Sequence, residues 1–138
     1  LALGMPWTIA LAANLKLFPI LAATWWLGRR DWRALGWLAA WLVGLALLQL
    51  VLEPAGSMAY LGFLRFEQVG DVKSISPYAL SPLLWAALLA VGIVAAIRLA
   101  PRRHGWAVAV AVAVFASPRL LVYQLSSLLA AARDPDDR

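Results

Sequence analysis

Two cations stand inside stretches that are otherwise apolar, Lys16 and Arg119. Lys16 falls in Asn14-Leu15-Lys16-Leu17-Phe18-Pro19, near the middle of an apolar run. A lysine at the centre of a bilayer costs about 2.5–3.5 kcal/mol on insertion scales, so it is expected to face a cavity or a partner. Pro19 lacks a backbone N–H and clashes with the carbonyl of Leu15, which predicts a bent or frayed helix beside the ammonium group. A cation next to a broken helix suits a phosphate or another anion. The plainer alternative is a buried ion pair, but no acid lies inside the apolar runs to complete one. Arg119 follows the helix-breaking pair Ser117-Pro118, with Tyr123 four residues on and on the same face of a helix. Its planar fork matches phosphate or sugar oxygens, and a helix starting there would also favour an anion. The competing reading is an interfacial arginine near a helix start. Lys16, Arg119 and Tyr123 are therefore the candidate anion- or substrate-binding residues. Glu53, Glu67 and Asp71 are carboxylates in a polar loop, and nothing singles one out as a catalytic base. With no cysteine and a lone His104 in Pro101-Arg102-Arg103-His104-Gly105, no metal site or cofactor is implied.

The elements that must position these groups follow from composition. Of 138 residues, 64% are hydrophobic and 14% charged, against about 45–50% and about 25% in an ordinary soluble domain. The charges gather around Arg29–Arg33, Glu53–Lys73, Arg98–Arg103 and Arg133–Arg138, separated by long apolar runs. A soluble enzyme, a nucleic-acid binder and a disordered tail are excluded as main readings. The predicted fold is all-α, a polytopic transmembrane helical bundle of about four spans, at about 5–27, 35–52, 82–100 and 106–132. Ser81 before Pro82 makes a good helix start, since serine caps free N–H groups and proline needs none in the first turn. The fourth segment is either one helix kinked at Ser117-Pro118 or two short ones. Its Ala/Val alternation from Ala107 to Val114 looks strand-like, but an open strand cannot satisfy its backbone in lipid.

Basic residues predict the orientation. Arg29, Arg30 and Arg33 against Asp31, with Arg98, Arg102 and Arg103, carry a net +5, equal to that of the whole chain. Those two short loops are expected to be cytoplasmic. Trp25, Trp26, Trp32, Trp37 and Trp106 would flank that interface, and Trp7 and Trp85 the other one. Gly36, Ala40 and Gly44 form a small-residue stripe that would let another helix approach, within this chain or beyond it. The long loop from Glu53 to Ser81 falls on the extracytoplasmic side, with a short interfacial helix expected from Ser57 to Val69, a stop at Gly70 and an ordered turn from Asp71 to Pro77. Because Leu1 lies inside an apolar run, the chain is read as part of a larger protein whose preceding helices are among its partners.

Two local patterns then resemble a known family. Lys16-x-x-Pro19, followed by the basic Gly28-Arg29-Arg30-Asp31-Trp32-Arg33 loop, and Ala116-Ser117-Pro118-Arg119-Leu120-Leu121-Val122-Tyr123 about a hundred residues later are similar to segments of glycosyltransferase family 87, polytopic enzymes of the GT-C superfamily. The order of the two patterns resembles the C-terminal part of such proteins, so that residues 1–138 would be a C-terminal transmembrane portion. The resemblance implies transfer of a hexose, often mannose, from a polyprenyl-phosphate donor in the membrane to an extracytoplasmic glycan or glycolipid acceptor. It also implies a multi-pass protein of the bacterial plasma membrane. Lys16, Arg119 and Tyr123 would contact the donor phosphate or substrate. Members often carry a His or Asp near the position of Tyr123 or Gln124, and this chain has neither. The acid that such enzymes use as base belongs to an early outer loop, so no catalytic residue is assigned.

Two readings compete. A mid-membrane lysine at a broken helix is also how transporters build anion sites, although no internal repeat is visible. In the other, the chain is a non-catalytic membrane subunit whose two intramembrane cations pair with a partner chain.

Overall fold

A computed structural model of the chain describes residues 5–57 and 76–117, together with Leu128. Among the described residues the structure is all-helical. Helix α1 runs Pro6–Leu15, a 3-10 segment Phe18–Ala23, α2 Thr24–Arg29 and α3 Trp32–Leu52. A 3-10 turn at Pro77–Ala79 then leads into α4, Pro82–Leu99, and α5, Gly105–Phe115.

The long helices start where local chemistry says they should. The Asp31 carboxylate accepts the N–H of Ala34 at 3.0 Å, so α3 begins three residues before the expected Leu35. Ser81 accepts the N–H of Leu84 at 3.4 Å with Pro82 in the first turn, as expected for α4. At about 1.5 Å per residue, the 21 residues of α3 and 18 of α4 measure about 32 and 27 Å, and both are long and apolar enough to cross a membrane. Their side chains point outward: only Leu38 in α3 and Ala96 in α4 are buried, while Trp37, Val43, Leu47, Leu83 and Val91 are more than half exposed. A helix in a water-soluble protein hides its apolar stripe and shows a polar face. Here the apolar face is the outer one, as hydrocarbon surroundings require.

The first expected span is assembled from three helical pieces. The interruption beside Pro19 is a full break, with Lys16 extended at φ −147°, ψ 125° between α1 and the 3-10 segment. Helix α1 then packs on α3, whose partly buried residues are Ala34, Leu35, Leu42 and Leu45. Hydroxyls inside these pieces are satisfied locally: Thr8 and Thr24 each donate to the carbonyl three residues back, at 2.7 Å.

The core forms where backbones come close. Gly28 of α2 lies against the carbonyl of Ile97 and the methyl group of Ala100, leaving no room for a Cβ. Gly105 opens α5 with its α-carbon against the carbonyls of Leu99 and Ala100, where an added Cβ would meet oxygen at 2.5 Å. Gly92 lies under Val112 in the same α4–α5 hairpin. Above these glycines Trp25 meets Trp106 edge-on, centroids 5.5 Å apart, and Trp26 stands 6.3 Å from Trp25. Trp25, Trp26 and Trp106 are thus core residues, only 3–5% exposed, which corrects the expectation that they line the membrane interface. They lie at the expected end of the bundle but face inward, where their rings pack on one another in the core. Trp32 and Trp37 do face outward. The Gly36–Gly44 stripe differs in the other direction, since no neighbour within the described residues comes within 4 Å of a Cβ at Gly36 or Gly44.

These environments predict opposite responses to the same substitution. Gly28→Ala overpacks α2 against backbone and is expected to cost about 1–3 kcal/mol. Gly36→Ala meets open space and is expected to be neutral, or stabilising by up to about 1 kcal/mol through helix propensity. Thermal unfolding of the two variants in detergent distinguishes them, and equal shifts would remove Gly28 from its role as a contact point.

Candidate functional site

Contacts along the hairpin set a consistent antiparallel register. The α4–α5 hairpin closes at Ala100–Gly105, passes Gly92 against Val112, and ends with the Trp85 indole donating to the Ala116 carbonyl at 3.2 Å. The 3-10 segment is laid along α5, starting from the Trp25–Trp106 contact. Following it away from that contact brings the chain toward the C-terminal end of α5. The break at Lys16-Leu17 therefore lies toward the end that carries Ala116 and Ser117.

At that end several chain interruptions meet. Helix α5 stops at Phe115, with Ala116 as its cap and Ser117 outside the helix. The carbonyl of Ala116, at the end of the helix, accepts the Trp85 indole N–H. Trp85 in turn stacks edge-on with Tyr78, centroids 5.5 Å apart and planes at 84°. Ser76, only 2% exposed, accepts the N–H of Tyr78 at 3.3 Å and so shapes the turn that presents this ring. The result is an anchored junction between the end of the long loop and the Ser117-Pro118 interruption. Sequence reasoning missed it, reading Trp85 as a belt residue. The available signal was a tyrosine and a tryptophan seven residues apart, on either side of the Ser81-Pro82 helix start.

Lys16 is the C-terminal cap of α1, its N–H bonded to the Ala12 carbonyl at 2.9 Å, and its side chain is exposed at the break rather than enclosed in the core. A cation at a helix C-terminus interacts favourably with the helix dipole, by roughly 0.3–1 kcal/mol. Asn14 is partly buried one turn from the break. Arg119 and Tyr123 lie outside the described residues, as do Glu67, Asp71 and the expected interfacial helix and turn between residues 58 and 75. Glu53 is described and exposed; it ends α3, and its carbonyl accepts both the backbone N–H of Ser57 at 3.0 Å and the Ser57 hydroxyl at 2.9 Å, starting a further helical turn there. No protein-family model, curated protein or solved structure matches this chain.

Trp85→Phe keeps the aromatic contact with Tyr78 and removes the indole donor. It is expected to lower stability by about 1 kcal/mol, whereas Trp85→Ala, which also loses the ring, is expected to cost about 3 kcal/mol or more. Thermal unfolding in detergent measures both, and a wild-type transition in Trp85→Phe would show that the indole bond does not hold the junction.

Proposed function

We propose that the chain is the C-terminal part of an integral membrane glycosyltransferase of family 87 type, transferring a hexose such as mannose from a polyprenyl-phosphate donor to an extracytoplasmic acceptor. The observation that carries the reading is Lys16 at a complete helix break, toward the same end of the bundle as the Trp85-anchored Ser117. A lipid-phosphate donor needs a cation where the backbone opens, and Arg119, two residues beyond Ser117, would supply a second one from the neighbouring element. Tyr123 would lie one turn further on. In this reading four spans, at about 5–27, 35–52, 82–100 and 106–132, cross a bacterial plasma membrane, with the loop from Glu53 to Ser81 outside. The long exposed apolar faces of α3 and α4 support membrane residence. Neither Lys16 nor Arg119 acts as base: deprotonating the acceptor hydroxyl needs a carboxylate, and none is assigned.

The break at Lys16 also favours a second reading, a transporter segment with an anion site at a discontinuous helix. Transfer from a polyprenyl-phosphate sugar by membranes carrying the complete protein separates the two. Under the first reading Lys16→Ala and Arg119→Ala each lower transfer by roughly ten- to a hundredfold through loss of a charge-assisted phosphate contact. Full activity in both variants would sink the site assignment. Solute flux in proteoliposomes without sugar transfer would favour the transporter.

A further inference from the structure

The end of the bundle opposite Lys16 carries a concentration of charge that sugar transfer does not use. Gly28 against Ile97 and Ala100, Gly105 against Leu99 and Ala100, and Trp25 against Trp106 bring the two basic loops side by side. Arg29, Arg30, Arg33, Arg98, Arg102 and Arg103 are all exposed there. Among the described residues one acid, Asp31, lies with them, and its carboxylate caps α3 through the N–H of Ala34.

The loop that carries the first three arginines is built rather than loose. The N–H groups of Arg30 and Asp31 bond the carbonyls of Leu27 and Trp26 at 3.1 and 2.9 Å, closing α2 in a Schellman-type cap. Arg30 adopts the left-handed conformation this closure requires, at φ 58°. The Arg29 guanidinium lies 4.6 Å from the centroid of the buried Trp25 ring, a cation–π contact that orients it. Trp32, 66% exposed, stands beside the arginines at the start of α3, and the open apolar faces of α3 and α4 begin immediately behind them. Guanidinium groups, an exposed tryptophan and an apolar wall in sequence match the headgroup, glycerol and acyl layers of one leaflet. A free phosphate would use only the first of these.

We propose that this paired-loop surface binds the phosphodiester headgroups of anionic phospholipid in the leaflet it faces. The inference rests on the membrane-spanning reading and is independent of sugar transfer. The test uses the purified full chain in phosphatidylcholine nanodiscs with and without phosphatidylglycerol, reading retained phosphatidylglycerol by mass spectrometry after mild detergent extraction. Enrichment over phosphatidylcholine is expected, falling about fivefold for each arginine removed in Arg102→Gln and Arg103→Gln. Both are exposed, so thermal unfolding should be unchanged. Arg29→Lys keeps the charge and weakens the stacked geometry, and it is expected to retain less lipid than wild type but more than Arg29→Gln. The paired change Arg65→Gln with Lys73→Gln removes two cations from the other loop and is the control. An equal loss in that control, or no enrichment in the wild-type chain, overturns the proposal. Displacement of phosphatidylglycerol by inorganic phosphate at matched ionic strength would also overturn it, because the surface would then be a phosphate site without lipid character.

Discussion

Side chains surrounded by hydrocarbon gain little by leaving it for one another, so helices in such a setting associate where backbones can approach closely. In this chain that approach happens at Ala100, which Gly28 meets from α2 and Gly105 meets from the start of α5. The absence of two β-carbons brings three backbones together at one end of the bundle. The space beside them is filled by Trp25, Trp26 and Trp106. From this knot the hairpin of α4 and α5 takes its register, and the 3-10 segment takes its line along α5.

The two ends of the bundle consequently have different chemistry. At the knot, tight turns and capped helices gather arginines around Asp31, whose carboxylate serves a helix N-terminus. Toward the other end α1 ends at Leu15 beside Lys16, α5 ends at Phe115, and the 3-10 turn Pro77–Ala79 leads into α4. Interrupted helices free polar backbone groups, and in an apolar solvent such groups require partners. One of these, the Ala116 carbonyl, is answered by an indole from α4. A backbone opened in this way beside a cation is a physically reasonable place for an anionic headgroup, which is why the lysine and the Ser-Pro pair outweigh the scattered carboxylates as site candidates.

Much of this was legible from local rules. Ser81-Pro82 marked the start of α4, Pro19 marked a break beside Lys16, and Ser117-Pro118 marked the end of α5, because capping and proline sterics act within a turn of the residue concerned. The two basic loops were also grouped correctly at one end by their charge alone. The tryptophans were not. An interfacial belt residue and a core residue share the same preference for leaving water, and only the packing of α2 against α4 and α5 buries these rings. The glycines divide in a way their spacing does not show: among the described residues nothing approaches the Gly36 and Gly44 positions, while the isolated Gly28 and Gly105 carry close contacts. Of the candidate site, Lys16 was placed at its break by sequence, whereas the Trp85–Ala116 bond joins residues 31 positions apart and has no local signature.

Sequence by itself determined the helical class, the start of α4 at Ser81-Pro82, the interruptions at Lys16 and Ser117, and the asymmetry of charge. Each depends on a residue's own chemistry or on neighbours within one helical turn. Tertiary structure alone decided which glycines bear contacts, which tryptophans are buried, and that the break at Lys16 lies toward the end that holds Ser117. An apolar helical face is equally consistent with lipid or with another helix, and the choice between them is made by backbones that only the fold brings together.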